Sequence, residues 1–279
     1  MKTLTFELPH ITVEGVSWGD ESATKIIALH GWLDNAASYI PLSSHVSQYH
    51  LIAIDWPGHG FSSHRPSGVN YQLLDYVYDL YCLIDQQGWG KVHIVGHSLG
   101  AIVGAIFAAT FPELVDRLVV IEALGPMVAD ANKTQESIRK SIIAQRNLVN
   151  KSKPVHPTAQ SAVNARFHVS DFSLEIAKIL VMRAIEPIAG GYTWRSDIRL
   201  RLISPWRMTE AQAQDVIASI KAKTLLIIGS NGLPMAKTSL QYRGDLIEDL
   251  TVVELVGGHH VHMEQPQLTW SAISSHLSL

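Results

Sequence analysis

The first residue in this chain with an evident capacity for chemistry is Ser98. It sits in Gly96-His97-Ser98-Leu99-Gly100, between an apolar run, Val92 to Val95, and a small-residue segment, Ala101 to Phe111, that Pro112 ends. A strand, G-x-S-x-G and a helix in succession describe a tight turn that lifts a serine hydroxyl above a sheet edge. The glycines two residues away on either side are what such a turn needs, because a side chain there would meet the neighbouring strand or helix. The start of the helix also favours negative charge near that hydroxyl. A serine is a poor nucleophile until a base takes its proton, so partners are to be sought elsewhere in the chain.

Two other places stand out. Glu122 closes the apolar run Leu118 to Ile121. A charged residue at the end of a buried strand is costly unless paired or solvated, as by a salt bridge to an arginine of the middle section. His259, His260 and His262 cluster in a late glycine-led loop. A metal reading of that cluster lacks an acidic or cysteine partner at matching spacing, so no metal is expected, and a serine nucleophile with a histidine base requires no cofactor.

The elements that must position these residues can be read from the periodicity. Leu4 to Leu8 and Ile11 to Val16 alternate as an edge hairpin. Lys25 to Leu29, Leu51 to Ile54, Val92 to Val95, Leu118 to Ile121, Thr224 to Ile228 and Leu250 to Val256 are buried-type strands. Helical patterns lie between them, at Ala36 to Val46, Tyr71 to Gln87, Thr209 to Ile220 and 238 to 247, with a last one running to Leu279. Thr209 and Gln212 form a capping-box pattern. Alternating strands and helices imply a mostly parallel sheet of about eight strands flanked by helices. The section from about 126 to 207 differs. It offers three helices, Thr134 to Val149, Thr158 to Phe167 and Ser173 to Ile185, no strands of buried type, and punctuation at Pro154, Pro157, Pro187 and Gly190-Gly191.

Composition narrows the function class. The 279 residues carry a net charge of −3, which makes no electrostatic case for nucleic acid or an anionic membrane as a partner. The single cysteine, Cys82, lies in an apolar helical pattern and is read as core. No signal-peptide pattern and no apolar stretch long enough for a membrane span is evident, so a cytoplasmic protein, monomer or homodimer, is the expectation.

Three blocks, His30-Gly31-Trp32-Leu33-Asp34-Asn35, Asp55-Trp56-Pro57-Gly58-His59-Gly60-Phe61-Ser62 and Gly96-His97-Ser98-Leu99-Gly100, resemble those of the α/β-hydrolase superfamily, its serine hydrolase-like, esterase/lipase-type branch. The resemblance covers most of the chain. It implies the α/β-hydrolase fold, with residues 1–125 and 208–279 as core and 126–207 as an inserted helical cap. It also implies an oxyanion hole from the backbone N–H groups of Trp32 and Leu99. Asp55 and His59 shape their loop and are not catalytic choices. Aligned on Gly258, Glu264 and Pro266, the family's late-loop histidine falls on His259. The family's acid often follows the seventh strand, where this chain has Gly229-Ser230-Asn231-Gly232 with Asn in place of Asp. Some members place it after strand six, where Glu122 stands. Glu122 is therefore the preferred acid, Asn231 the alternative as acid or orienter, with Asp245, Asp249 and Glu264 behind them. For a substrate pocket, the candidates are His30, Trp194, Trp206 and Met182, with Tyr192 and Phe167.

The implied activity is a serine hydrolase cleaving carboxylic esters of small or medium acyl compounds through an acyl-enzyme, with the ester as the small-molecule partner. The alternatives are a C–C bond hydrolase, thioesterase or perhydrolase with the same residues, or a non-catalytic ligand-binding member of the fold.

Overall fold

Eight strands build one sheet, whose central strands are apolar on both faces and must be covered twice. The computed structural model describes residues 1–148 and 151–278. The strands are β1 Lys2–Leu8, β2 Ile11–Trp18, β3 Lys25–Leu29, β4 His50–Ile54, β5 Val92–His97 and β6 Val115–Ile121, with two short ones, β7 Ile185–Ile188 and β8 Gly191–Trp194, before β9 Lys223–Gly229 and β10 Leu250–Leu255. The large sheet runs β1-β2-β4-β3-β5-β6-β9-β10. β1 and β2 are antiparallel to each other, and β2 is antiparallel to β4. The rest is parallel.

Neighbouring residues on one strand serve opposite faces. Ile94 and Val120 pack with Leu80, Leu83 and Phe107 from helices Leu73–Gln87 and Leu99–Thr110. Val95 and Val119 pack on the other face with Tyr39, Leu42, Ile273 and Leu277. A third cluster holds Ala162, Val163, Phe172, Ile176, Leu180 and Val181, joined by Met263 from the late loop.

Register decides what stands side by side. His97 of β5 lies opposite Ile121 of β6, which lies opposite Ile227 of β9. The next residues, Ser98 and Glu122, therefore leave the sheet level with each other. Their main-chain N–H groups each reach across to the adjoining strand, Ser98 to Ile121 O and Glu122 to Ile227 O, both at 2.9 Å. The carboxyl ends of the parallel strands are where ligands of such sheets bind.

Between β6 and helix Glu210–Ala218 lie helices Thr134–Leu148, Ala159–Phe167 and Leu174–Ala184, followed by the antiparallel pair β7–β8. The pair adds two short strands, mostly half-buried or exposed and so not of the buried type, to the three helices expected here. Pro187 and Gly190-Gly191 look like breaks in sequence, yet here they shape a hairpin, both glycines taking positive φ (88° and 141°). Val149, read as the end of the first of these helices, and Leu279, read as the chain's last helical residue, lie outside the described residues. Ala36 to Val46 resolves into a 3-10 turn, Ala36–Tyr39, and a single α turn, Ile40–Ser43. The helix read over 238 to 247 begins earlier, at Pro234, and ends at Arg243. The capping box at Thr209 and Gln212 is present.

The turn at Ser98 tolerates no side chain at its glycines. A Cβ on Gly100 would lie 2.0 Å from Leu29 O, and one on Gly96 would lie 2.4 Å from Gly100 O. Gly100→Ala should therefore cost about 3 kcal/mol or more of stability, since backbone, not a flexible side chain, would have to give way. A denaturant titration checks this; an unchanged midpoint would contradict the tight packing of the elbow on β3.

Candidate active site

Among the described residues, three outside glycine have positive φ: Leu33 (62°), Ser98 (50°) and Glu122 (62°). They follow the carboxyl ends of β3, β5 and β6. Strained backbone gathered at one sheet edge is an observation that points to a functional site. Ser98 is half-buried and heads the Leu99–Thr110 helix. Its side chain makes no hydrogen bond among the described residues. The Leu99 N–H lies at the helix start, where no intrahelical acceptor exists. The Trp32 N–H likewise has no acceptor among the described residues.

Glu122 is fully buried. Its Oε1 accepts from Gly229 N (2.7 Å), and its Oε2 accepts from Leu233 N (3.0 Å) and from His259 Nδ1 (3.0 Å). The Gly229-Ser230-Asn231-Gly232 turn wraps around this carboxylate. A Cβ on Gly232 would sit 2.2 Å from Glu122 Oε1. The arginines of the middle section do not contact Glu122; Arg166 and Arg183 pair with Asp34 and Asp55 instead.

Asn231 is a correction. Its side chain is exposed, and only its main-chain N–H is engaged, by Gly257 O at 2.9 Å. The turn that carries it presents backbone, not side chain, to the Glu122 carboxylate. Asp245 and Asp249 are exposed too, and Glu264 braces the late loop by accepting from Gly258 N.

The pocket candidates do not gather as expected. His30 is fully buried, its Nδ1 donating to Gly31 O (2.7 Å) and its Nε2 accepting from Trp56 N (2.9 Å). Burial holds it neutral, with a pKa of about 4. It is a structural residue with no nitrogen left for a ligand. Trp206 is 65 % exposed and Met182 56 % exposed, facing solvent. Phe167 is also exposed, and Tyr192 packs on the third apolar cluster. Trp194 stands edge-on to His156 and lines a cleft of about 610 Å³ with Lys153, Pro154 and Asp197, a cleft that includes neither Ser98 nor His259. Long-range packing, which periodicity does not report, decided these positions.

What sequence reasoning missed is a buried polar cluster beside the late histidines. Asp34 accepts from Arg166 Nη2 (2.8 Å) and from His260 Nε2 (3.0 Å). His97 donates Nε2–H to His259 O (2.8 Å), and its Nδ1 lies 3.8 Å from Asp34. His262 meets Ser38 Oγ (2.7 Å). His260 and His262 thus have structural partners of their own. The main-chain N–H of His259 donates to Asp171 Oδ2 (2.9 Å). Asp34 and His97 stand inside motifs quoted above, so their positions carried a signal; Asp171 carried none.

The cluster also has the makings of a metal site, since Asp34, His97 and His260 bring ligand atoms within 4.8 Å of one another. The charges already balance without one. Burial opposes the Asp34 charge, but His260 and Arg166 hold its carboxyl well below the usual range. Burial likewise works against a charged His260, but Asp34 and Asp171 lift it to about 9. A divalent ion there would have to replace the His260 Nε2 contact to Asp34 and sit beside the Arg166 guanidinium.

The model of the α/β-hydrolase fold family matches residues 25–266. The chain belongs to that family, in its serine hydrolase-like branch. A serine hydrolase-like protein of Danio rerio is 31 % identical over 97 % of this chain and 86 % of its own. Serine hydrolase-like protein 2 of Homo sapiens is 29 % identical over 98 % and 93 %. The crystal structure of a hypothetical protein from Pseudomonas aeruginosa PAO1 superposes with a TM-score of 0.94 at 34 % identity, covering 100 % of this chain and 99 % of that one. Among the described residues, no helix of this α/β-hydrolase is long and apolar enough to cross a membrane.

The Asp34–His260 pair sets a pH window for stability. The raised His260 contributes fully below about pH 6.5 and is lost as pH climbs through about 9; the lowered Asp34 contributes above about pH 4 and is lost in acid. His260→Gln should therefore remove an alkaline loss of about 3 kcal/mol between those pH values. Unfolding free energies measured across that range check it, and parallel curves for variant and wild type would contradict the pairing.

Proposed function

We propose that this protein is a serine hydrolase acting on carboxylic esters of small or medium acyl compounds. Ser98 is the nucleophile, His259 the base and Glu122 the acid. The single observation that carries the reading is the 3.0 Å contact from His259 Nδ1 to the buried Glu122 carboxylate, level with a serine held at φ 50°. It favours a competent site over the ligand-binding alternative, for which Glu122 would lie out of reach.

In this reading His259 takes the Ser98 proton as the hydroxyl attacks the ester carbonyl. The N–H groups of Trp32 and Leu99 hold the oxyanion of the tetrahedral intermediate. Glu122 keeps the Nδ1 proton in place and stabilises the imidazolium that forms. His259 then gives its proton to the departing alcohol oxygen, leaving Ser98 acylated. Water, activated by the same histidine, releases the acid. The residues 126–207 serve as a lid over a core made of 1–125 and 208–279. Its ties to the loops around the site, Arg166 to Asp34 and Arg183 to Asp55 (2.7 Å), support that role.

Hydrolysis of p-nitrophenyl esters of increasing chain length tests the proposal. Ser98→Ala should abolish turnover, and Glu122→Gln should lower kcat roughly 10³- to 10⁴-fold, since an amide cannot stabilise the imidazolium. A wild type inert to esters whose Ser98 also escapes a fluorophosphonate probe would overturn it. Labelling without ester turnover would move the reading to a C–C hydrolase, thioesterase or perhydrolase with the same residues.

A further inference from the structure

We propose that Asp171 is a positioning residue that makes the alignment of His259 depend on the seating of the 126–207 segment. The proposal deepens the reading above and rests on it for the role of His259.

His259 is held at three points. Its ring Nδ1 goes to Glu122, its carbonyl accepts from His97, and its main-chain N–H goes to Asp171 Oδ2 at 2.9 Å. The first two partners belong to the ends of the sheet strands. The third comes from 88 positions away in sequence, in the connection between helices Ala159–Phe167 and Leu174–Ala184.

The approach is close by construction. A Cβ on Gly258 would lie 2.4 Å from Asp171 Oδ2, so the residue before His259 has to lack one for the carboxylate to reach. The next residue of the connection, Phe172, is buried and stands edge-on to His260 at 4.7 Å between ring centroids. Arg166 lies over the Phe172 ring and bonds Asp34. Met263, on the same late loop, completes the apolar cluster of these helices. The late loop and the segment above it thus share one polar hook and one apolar grip.

Displacing the segment to admit or release a ligand would withdraw the acceptor from the His259 N–H. A main-chain donor in a half-buried turn then has to find water, and the peptide plane that aims the imidazole loses a constraint. Asp171 is 47 % exposed, so its charge acts on His260 through a partly screened field, while its hold on the His259 N–H lies in the directed oxygen. Its Oδ1 is 3.8 Å from His260 Nδ1, beyond hydrogen-bond reach. An asparagine, which keeps an acceptor oxygen, should therefore substitute for it, whereas an alanine should not.

The test compares Asp171→Ala and Asp171→Asn in the full chain. In Asp171→Ala the His259 amide should exchange with deuterium at least tenfold faster, while exchange in β5 and β6 is unchanged. For p-nitrophenyl esters, kcat and the rate of Ser98 phosphonylation should fall together by about 10- to 100-fold, with KM within threefold of wild type. Asp171→Asn should restore both readouts to within threefold. Unchanged amide exchange in Asp171→Ala overturns the proposal. So does faster exchange with full kcat in an active enzyme, or an Asn variant as impaired as the Ala one. Should the wild type be inert to esters and probe alike, the triad reading fails instead, and the amide exchange still decides whether Asp171 holds the loop.

Discussion

A carboxylate without solvent has to be satisfied where it stands, and the Glu122 carboxylate organises the carboxyl edge of this sheet. Two main-chain donors, from the last residue of β9 and from Leu233 just beyond it, and one histidine nitrogen from the loop after β10 converge on it. Removing any of them would leave a buried charge short of a partner, a costly state in a protein interior. The surrounding features follow from that demand. Gly232 lacks a side chain because the Glu122 oxygens occupy the place of its Cβ. Glu122 itself accepts a left-handed φ of 62° to aim back across the strand ends. Such strain persists only when its surroundings over-determine it, as three donors do here.

The same logic orders the next layer. Asp34 is buried just beyond the site and takes its partners from two directions, His260 of the late loop and Arg166 of the middle segment. Asp55 does likewise, holding Ala36 N and Phe61 N in its own loops and Arg183 across the gap. Each carboxylate fastens a loop of the sheet's carboxyl edge and, through an arginine, a helix of the middle segment. Since breaking a buried pair exposes an uncompensated charge, these contacts resist separation more than surface pairs would. The 126–207 segment is therefore coupled to the very loops whose backbone groups surround Ser98. Further polar ties join it to the core, among them Asp171 to the His259 N–H, Leu180 O to Asn35 Nδ2 and Arg199 to the carbonyls of Arg65, Pro66 and Val69, and an apolar one runs through Met263 and the small cluster it joins.

Four histidines crowd the region, and their surroundings give them different work. His97 and His262 are buried without a carboxylate in hydrogen-bond contact, and burial first, then neighbouring rings, drive them neutral. His260 has Asp34 and keeps its proton. His259 is the one whose ring points at Glu122. One late loop thus supplies a charged strut, a neutral filler and a hydrogen-bonded partner for a buried acid within four residues.

Much of this was legible in the chain itself. Strands of β-branched residues, helices of period 3.6 and the glycines around Ser98 announced the parallel sheet and its tight turn, because those signals are local and set by backbone geometry and burial. A charge at the end of the apolar strand at Ile121 announced that Glu122 needed a partner. What spacing could not supply was the partner's direction. Whether Asn231 or Glu122 meets His259 depends on register between β6 and β9 and on which way a turn presents its backbone. The hairpin at 185–194 was hidden because short ribbons with proline and glycine read as breaks until their ends pair. The contacts from Arg166 and Asp171 join residues more than eighty positions apart. They exist only because the packed helices of the middle segment set those side chains over the loop after β3 and the late loop. Tertiary packing, with no local signature, decided them.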